Sequence, residues 1–321
     1  MATTTVAAGV DLGGTKIQTV VLRDEKVVGS ARVLTPQTGD PADVIDAIVG
    51  TIGTSLEVGA LAEDDLGGIG IGTPGEIDAR AGAVMQAANV PGFTDRVELG
   101  PRVSAVFDGV EATVDNDVSV GVLGEHRRGA GRPFKNLLGV WVGTGVGGGL
   151  VLDGELHDGR GSAGEIGHMV AKSGGRRCSC GRRGCVEAYA GRASMERRAR
   201  RLVERGRRTS LFRIMRKRGR EHLSSGVYAR ALKRGDRMTH ELIKDATWAL
   251  GIGLASAQNL LDLEAIIVGG GLGDRLGQPF VDRIVEQTTP HLFVSDKPPV
   301  VLRTELGDLS GAVGAAVLVG G

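Results

Sequence analysis

The sequence predicts an α/β protein built from two similar halves, and three observations support this fold class. Short apolar stretches typical of buried strands alternate with longer amphipathic stretches typical of helices. Glycine accounts for 53 of the 321 residues and clusters directly after the predicted strands. The order strand, glycine-threonine turn, strand, turn, strand occurs twice, about 130 residues apart. This weak duplication predicts two facing α/β halves and not one continuously wound sheet.

The first half begins with a predicted buried strand at 6–12, which ends at the Gly13-Gly14 turn. Two further strands, IQTVVL and KVVGSARV, follow this turn. PADVIDAIVGTIGTSL predicts an amphipathic helix, LGGIGIGTPG a strand that ends in a loop, and ATVDND another strand. DVSVGVLGEHRRG then predicts a helix with Asp117 near its N-terminus.

The second half repeats this opening with a predicted strand at 137–143 and a turn at 144–149. LVLD predicts the next strand, and ELHDG the beginning of a third. Residues 187–262 are mostly helical in pattern, and AIIVGGG predicts a buried strand before a glycine loop. The final DLSGAVGAAVLV predicts a short helix capped at Asp308 or Ser310.

The composition argues against several classes of protein. Lys and Arg (39) nearly balance Asp and Glu (38), so no global charge selects nucleic acid or a membrane surface as partner. Aromatic residues make up only 3%, too few for the stacking surfaces that bind single-stranded nucleic acid. No apolar run approaches the roughly 20 residues of a membrane-spanning helix, and MATTTVAAGV lacks the features of a signal peptide. We expect a cytoplasmic protein with neither nucleic acid nor a membrane as partner.

Two glycine-rich segments resemble nucleotide-binding motifs but fail their structural requirements. Gly143–Gly148 satisfies G-x-G-x-x-G, but GLVLDGELHDG after it predicts a strand where a dinucleotide site needs a helix. Gly9–Lys16 approaches a P-loop, but it lacks the Gly-Lys-Ser/Thr ending and is again followed by a strand. The sequence therefore predicts neither a dehydrogenase nor a P-loop enzyme.

What remains are two hairpin turns whose backbone N–H groups can hold phosphate oxygens. Asp11 precedes the first turn and can hold Mg²⁺ through water, and Lys16 lies close by in the sequence. The alternative is that both turns are ordinary tight hairpins that use glycine for its positive φ. Because the turn recurs in both halves, we favour phosphate binding.

All three cysteines of the chain lie within eight residues and follow one histidine. Three thiolates and an imidazole form the ligand set of a closed tetrahedral zinc site, and an odd cysteine count disfavours disulfides. With no vacant coordination position, such a metal orders a loop and activates no water. The predicted ligands are His168, Cys178, Cys180 and Cys185. Flanking arginines are expected to lower the thiol pKa values, namely Arg176, Arg177, Arg182 and Arg183.

Folding the loop around zinc would also fix three polar side chains at its ends. Glu165 and His168 enter the cysteine segment, and Glu187 leaves it. Two carboxylates and an imidazole on a rigid loop suit a polyhydroxylated ligand. The alternative is that Glu165 and Glu187 are ordinary surface acids, and their spacing leaves both interpretations open.

Five motifs occur in an order that resembles the ROK family (repressor, open reading frame, kinase). They are VDLGGTK, VDNDVSVGVLGE, the Gly-Thr-Gly loop, GEIGHM and CSCGRRGCVE, and the resemblance covers essentially the whole chain. It implies an actin-like, ribonuclease-H-like fold of two domains, with the active site in the cleft between them. The expected domains are 1–117, rejoined by the C-terminal helix at 307–321, and 118–306, which carries the zinc loop at 168–185.

The resemblance also implies a reaction and its residues. Family members phosphorylate hexoses with ATP and Mg²⁺, and Asp117 matches their catalytic base, although the same position suits a helix N-cap. His168 can ligate zinc through one ring nitrogen and face the sugar with the other. The positions that match sugar ligands are Asn89, Asn116, Asp117, Glu165, His168 and Glu187. Those that match the nucleotide-binding turns are Gly13, Gly14, Thr15, Gly143, Thr144 and Gly145, with Gly269, Gly270 and Gly271 near the adenosine.

Several alternatives stay open at this point. The ligand set favours glucose as substrate, while relatives also handle mannose, fructose and N-acetylated hexosamines. Family repressors carry a winged helix-turn-helix before the first hairpin, where this sequence has five residues, so we favour an enzyme. The basic stretch 192–220 holds thirteen Lys and Arg against two Glu. It is expected to be a solvated face or a subunit contact, since relatives are commonly homodimers or homotetramers, or else to bind polyphosphate as phosphoryl donor.

Overall fold

The computed structural model describes residues 6–87 and 89–320, which divide into two compact units. One unit contains the described residues through Arg132 together with those from Asp308 onward, and the other is Pro133–Gly307. The strands are β1 Val6–Leu12, β2 Lys16–Arg23, β3 Lys26–Leu34, β4 Gly68–Thr73, β5 Glu76–Asp78, β6 Ala83–Gln86, β7 Ala112–Asn116, β8 Leu137–Val142, β9 Val146–Leu152, β10 Glu155–Leu156, β11 Ala265–Gly269 and β12 Val300–Arg303.

The described residues also form eleven α-helices. They are α1 Pro41–Val58, α2 Leu99–Ser104, α3 Asp117–Arg128, α4 Glu187–Ala190, α5 Arg192–Glu204, α6 Leu211–Arg216, α7 Ser225–Lys233, α8 Arg237–Leu261, α9 Gly270–Leu276, α10 Gln278–Thr288 and α11 Ser310–Gly320. Among the described residues, no helix combines the length and the apolar character that a membrane span requires.

Each unit is organised around a five-stranded sheet of the same topology. The strand order is β3-β2-β1-β4-β7 in the first unit and β10-β9-β8-β11-β12 in the second. In both, an antiparallel hairpin (β1 with β2, β8 with β9) is extended by parallel strands that helices connect. The predicted duplication of a hairpin-plus-helix core is therefore confirmed.

Local sequence explains where the first helix begins and which face it buries. Asp40 caps α1, because its side chain accepts a hydrogen bond from the Ala42 N–H at 2.8 Å, and Pro41 occupies the first helical turn. The apolar residues recur at helical spacing and face β2 and β3, including Val44, Ile48 and Ile52, which are all fully buried.

Helix α11 packs very closely on the first sheet, and glycines in the strands make this possible. A Cβ atom at Gly70 of β4 would lie 1.7 Å from the Ala315 carbonyl oxygen, and one at Gly9 of β1 would lie 2.0 Å from that of Ala312. These glycines lie within strands and not in loops. Part of the glycine content that the sequence associates with ligand-binding turns thus serves helix–sheet packing.

The same packing sets the division between the units. Helix α3 packs on α11, where a Cβ at Gly314 would lie 1.6 Å from the Val120 carbonyl oxygen. The buried Glu125 of α3 accepts a hydrogen bond from the Ser310 hydroxyl at 2.7 Å. The division therefore follows Arg132 and does not fall after Asp117 as expected, because α3 belongs to the core of the first unit.

The longest helix, α8, anchors the core of the second unit. Asp236 caps it by accepting a hydrogen bond from the Thr239 N–H at 2.9 Å, and Asp262 ends it in the left-handed conformation at φ 49°. Its apolar face packs against α4 and α10 and includes Leu242, Leu250 and Leu254.

Close packing of α11 leads to a matched pair of substitutions. Gly70→Ala places a Cβ against the Ala315 carbonyl oxygen, and overpacking of this kind costs about 2–3 kcal/mol. Gly50→Ala in α1 meets no atom within 4 Å and gains about 1 kcal/mol from helix propensity. Thermal and urea unfolding should show Gly70→Ala below the wild type and Gly50→Ala at or above it. Equal stability of Gly70→Ala and wild type would contradict the packing of α11.

Candidate functional site

The first unit carries a glycine turn between β1 and β2, and Thr35 holds it in place. Inside the turn the Gly13 N–H donates to the Lys16 carbonyl at 2.9 Å. The Thr35 hydroxyl donates to the Gly13 carbonyl at 2.5 Å, and the Thr35 N–H donates to the Thr15 carbonyl at 3.1 Å. Thr35 therefore ties the turn to the end of β3, a contact that sequence reasoning missed.

Close backbone approach, and not positive φ, explains the glycines of this turn. Neither Gly13 nor Gly14 has a φ in the left-handed region. A Cβ at Gly14 would lie 1.8 Å from the Asn89 carbonyl oxygen, so only glycine fits there. The alternative of an ordinary hairpin that uses glycine for positive φ is wrong for this turn. The contact also brings Asn89, whose side chain is exposed, beside the turn.

Two carboxylates at strand ends share an electrostatic environment in this unit. Asp11 lies near the end of β1, and Asp117 begins α3 directly after β7. Burial raises the pKa of Asp117 to about 7, and the negative charge of Asp11 adds to this effect. Burial also raises the pKa of Asp11, while the nearby Lys16 acts in the opposite direction. A carboxyl group with a pKa near 7 is suited to proton transfer at neutral pH.

The junction of β7 and α3 assigns the helix cap to Asn116. Its side-chain oxygen accepts hydrogen bonds from the N–H groups of Val118 at 3.0 Å and Ser119 at 3.3 Å. Asp117 is the first helical residue, and its carboxylate accepts from the Val118 N–H at 3.0 Å. The N-cap interpretation of Asp117 is thus wrong, because the extended backbone of Asn116 makes it the last residue outside the helix.

The second unit carries the corresponding turn between β8 and β9. The Gly143 N–H donates to the Gly145 carbonyl at 2.9 Å, and neither glycine has a positive φ in the left-handed region. The Gly143 and Thr144 carbonyls accept from the N–H groups of Arg192 and Ala193, both at 3.1 Å. The start of α5 is thereby attached to the turn.

The glycine loop at the end of β11 reaches the same turn. Gly270 has φ +77°, which L-residues rarely adopt, and a Cβ there would lie 2.7 Å from the Val142 nitrogen. Val142 immediately precedes Gly143, so the predicted adenosine loop, Gly269–Gly271, lies beside the second turn.

The predicted metal ligands come together in the second unit. The ligand atoms of His168, Cys178, Cys180 and Cys185 all lie within 4.8 Å of one another. The sulfurs of Cys180 and Cys185 are 3.8 Å apart, and the Cys178 sulfur is 4.0 Å from His168 Nδ1. All three cysteines are free, and two sulfurs bound tetrahedrally to zinc at about 2.3 Å are also roughly 3.8 Å apart. The donor set and its spacing fit a zinc ion.

The expected effect of the flanking arginines on the thiols is wrong for two of the three cysteines. Burial raises the pKa of Cys178, and it raises the pKa of Cys185 to about 12. Only the pKa of Cys180 is lowered, mainly by a backbone hydrogen bond from Arg182. Arg176 turns away to pair with Asp245 and to stack on the Tyr189 ring. Thiols that resist ionisation in this way release their protons on binding a metal.

Glu187 connects the cysteine loop to the second glycine turn. One carboxylate oxygen accepts a hydrogen bond from the Ser179 hydroxyl at 2.7 Å, and the other accepts from the Val146 N–H at 3.1 Å. A Cβ at Gly145 would lie 2.4 Å from the second oxygen. Glu187 is thus no ordinary surface acid. Ser179 was missed because a serine between two cysteines gives no signal of its own.

The two ring nitrogens of His168 have different neighbours. Its Nδ1 lies toward Cys178, and its Nε2 lies 3.9 Å from a carboxylate oxygen of Glu165. The 3₁₀ turn Ile166–His168 places both residues, with Ile166 buried beneath them.

The basic segment is partly folded into the second unit. Glu196 is buried and accepts hydrogen bonds from Arg200 at 2.9 Å and from the Leu223 N–H at 2.8 Å. Arg207 forms two hydrogen bonds of 2.8 Å with Glu241. Part of the segment lines an open cavity of about 830 Å³, to which it contributes Arg200, Arg207, Arg208, Arg213 and Arg216 together with Glu204.

The sequence of this chain is similar to those of known sugar kinases. The model of the ROK family matches residues 7–321. A glucokinase of Halalkalibacterium halodurans is 32% identical over 321 residues, covering 97% of this chain and 94% of that protein. An N-acetyl-D-glucosamine kinase of Photobacterium profundum is 31% identical over 328 residues, covering 97% and 98%.

A solved structure extends the likeness to three dimensions. The crystal structure of a ROK family glucokinase from Streptomyces griseus in complex with glucose and AMPPNP is 29% identical, with a TM-score of 0.81. The match covers 98% of this chain and 99% of that one, so the two share the actin-like α/β fold. Because the family model spans nearly the whole sequence, the chain belongs to the ROK family.

Proposed function

We propose that the protein is a hexose kinase that transfers the γ-phosphoryl group of ATP to the 6-hydroxyl of a hexose, with glucose as the favoured acceptor. The observation that carries the proposal is Asp117, a carboxylate at the start of α3 whose pKa of about 7 suits a general base. The glucokinase relative and the glucokinase structure determined with glucose and AMPPNP support this assignment.

Asp117 would accept the proton of the sugar 6-hydroxyl as that oxygen attacks the γ-phosphorus. The new P–O bond forms in line with the bond to the β-phosphate oxygen, which breaks and releases ADP. General base catalysis contributes roughly 10²–10⁴-fold, and positioning and charge neutralisation supply the rest. The neighbouring carboxylate of Asp11 helps to keep Asp117 able to bind this proton.

The residues near Asp11 fit the magnesium ion that accompanies ATP. Carboxylate oxygens are ligands that Mg²⁺ prefers, and the raised pKa values of Asp11 and Asp117 reflect a concentration of negative charge and burial that a divalent cation relieves. Bound there, Mg²⁺ would neutralise charge on the transferred phosphoryl group. Asp11 and Lys16 would hold the metal and the phosphates, respectively.

Backbone groups supply most of the proposed nucleotide contacts. The two turns offer N–H groups that cost no side-chain entropy when they bind phosphate oxygens. The proposed phosphate-binding residues are Gly13, Gly14, Thr15, Gly143, Thr144 and Gly145. Gly269, Gly270 and Gly271 would contact the adenosine.

The proposed sugar ligands are side chains with free hydrogen-bonding groups or carboxylates. Asn116 uses its amide oxygen as a helix cap, so its NH₂ group remains to donate to a hydroxyl. Asn89, Glu165, His168 Nε2 and Glu187 would complete the set. A zinc ion on His168, Cys178, Cys180 and Cys185 would hold the loop that carries three of these groups.

The relatives leave the sugar and the donor open to experiment. An N-acetyl-D-glucosamine kinase is nearly as similar as the glucokinase, so mannose, fructose and N-acetylhexosamines are alternative acceptors. The arginine-lined cavity of the second unit favours polyphosphate as an alternative donor. A sugar-sensing regulator without catalysis is the remaining alternative.

Replacing the proposed base should separate catalysis from binding. Asp117→Asn should lower kcat by roughly 10²-fold or more and leave the Kd for the hexose within about threefold, because the amide keeps the shape but accepts no proton. Steady-state kinetics and calorimetry measure the two effects. Asp64→Asn, an exposed acid of the same unit, is the control and should behave as wild type. Near-normal turnover of Asp117→Asn would show that Asp117 is not the base.

The raised pKa of Asp117 makes both activity and stability depend on pH. The log of kcat/KM for the hexose should rise with pH and level off above about 7, where the free enzyme carries the ionised carboxylate. The folded protein keeps a proton on Asp117 up to about pH 7, whereas the unfolded chain loses it near 3.8, so this group's contribution to stability falls between those pH values. Asp117→Asn should therefore gain stability over wild type at pH 8 and lose that gain toward pH 4. A profile flat from pH 5 to 9 would contradict this account.

Disrupting the cysteine cluster should loosen the sugar site. Cys180→Ser should lower the bound zinc measured by elemental analysis and raise the KM for the hexose about 10-fold or more, because the loop that holds Glu187 loses its metal. Ser173→Ala, on the exposed surface of the same loop, should change neither quantity. A Cys180→Ser protein that lacks zinc but keeps the wild-type KM would remove zinc from the sugar site.

A further inference from the structure

Arg192, the first residue of α5, is attached to the second glycine turn at two points. Its guanidinium donates from Nη2 to the Thr144 hydroxyl at 2.9 Å, and its N–H donates to the Gly143 carbonyl at 3.1 Å. The side chain is neither fully buried nor fully exposed, so the guanidinium lies beside the turn with access to solvent. A ligand held by the turn would meet this cation directly.

The charge of Arg192 has no carboxylate partner among the residues that the structure describes. Within the described chain, its buried Nε has no hydrogen-bond partner, and the guanidinium bonds to one side chain, the neutral Thr144 hydroxyl. Burial lowers the pKa of Arg192, the charge of Arg220 acts in the same direction, and Tyr228 and Glu196 oppose it. Glu196, the nearby acid, is already bonded to Arg200 and to the Leu223 N–H.

The helix itself makes this position unfavourable for a cation. The N-terminus of α5 carries the partial positive charge of the helix dipole, and its first turn holds no acidic residue and no side-chain cap. A partly desolvated cation at such a place costs stability unless an anion accompanies it. No described residue supplies such an anion, so the ligand is the source to consider.

We propose that Arg192 binds the phosphate groups of the nucleotide at the Gly143–Gly145 turn. The planar guanidinium matches phosphate oxygens and adds charge-assisted bonds to the neutral N–H groups of the turn. A sugar hydroxyl gives a guanidinium no comparable gain. The inference rests on the proposed function and deepens it, because it adds a cationic ligand to a site otherwise made of backbone groups.

Three variants on one helix test the inference. Arg192→Gln removes the charge, Arg192→Lys keeps it without the planar fork, and Arg201→Gln removes a matched charge from an exposed position of α5. Calorimetry would measure the binding of MgADP and of inorganic tripolyphosphate at fixed ionic strength, and of the hexose separately. Thermal unfolding without ligand reports on stability.

We expect Arg192→Gln to bind MgADP and tripolyphosphate roughly 10- to 100-fold more weakly than wild type, the size of a lost charge-assisted interaction. Arg192→Lys should recover part of this loss, and Arg201→Gln should stay within twofold. Hexose affinity should stay within twofold, and the unliganded melting temperature should not fall, because an unpaired cation has been removed.

Two results would overturn the inference. One is phosphate affinity of Arg192→Gln within twofold of Arg201→Gln. The other is a parallel loss of melting temperature, hexose affinity and nucleotide affinity, which would make Arg192 a support for the turn. Wild-type turnover separates this inference from the proposed function: phosphate binding that depends on Arg192 in a protein that phosphorylates no hexose would uphold the former and reject the latter.

Discussion

Close backbone approach at glycines that have no room for a side chain is the constraint on which the rest of this structure depends. At Gly70 it lets α11 pack against the first sheet, and at Gly14 it brings the loop of Asn89 to the first turn. In the second unit, Gly145 gives the Glu187 carboxylate its place beside the second turn. The same property therefore builds the core and exposes the backbone N–H groups that are proposed to hold phosphate.

Charge is distributed differently in the two units, and this difference fits the proposed reaction. In the first unit, burial raises the pKa values of two carboxylates, Asp11 and Asp117, and a pKa of about 7 suits Asp117 to accept a proton at neutral pH. In the second unit, Arg192 has no acidic partner among the residues the structure describes and lies beside a turn of backbone donors. Glu187 links this turn to the cysteine loop, so changes at the predicted metal ligands should reach both the proposed sugar contacts and the proposed nucleotide contacts.

Much of the fold could be predicted because strand periodicity and glycine-threonine turns are local signals, and the repeated hairpin made the duplication visible. What failed depends on tertiary packing. The N-cap of α3 is Asn116 and not Asp117, because the extended backbone of Asn116 places it just outside the helix. The boundary between the units follows Arg132 and not Asp117, because α3 packs on α11 within the first unit. At Cys178 and Cys185, burial and not the flanking arginines sets the direction of the pKa shift. Arg192 belongs to the basic stretch noted in the sequence, but its unfavourable place in the first turn of a helix was not recognised there.

The most direct test of the central claim is ADP release by the zinc-loaded protein with ATP and Mg²⁺, screened over glucose, mannose, fructose, N-acetylglucosamine and N-acetylmannosamine. The account predicts turnover with a clear preference for glucose and a kcat/KM of roughly 10⁴ M⁻¹s⁻¹ or above. Turnover with polyphosphate but not with ATP would mean that polyphosphate, and not ATP, is the phosphoryl donor. No turnover with either donor, from a folded protein that binds a hexose, would contradict the account and leave a sugar sensor.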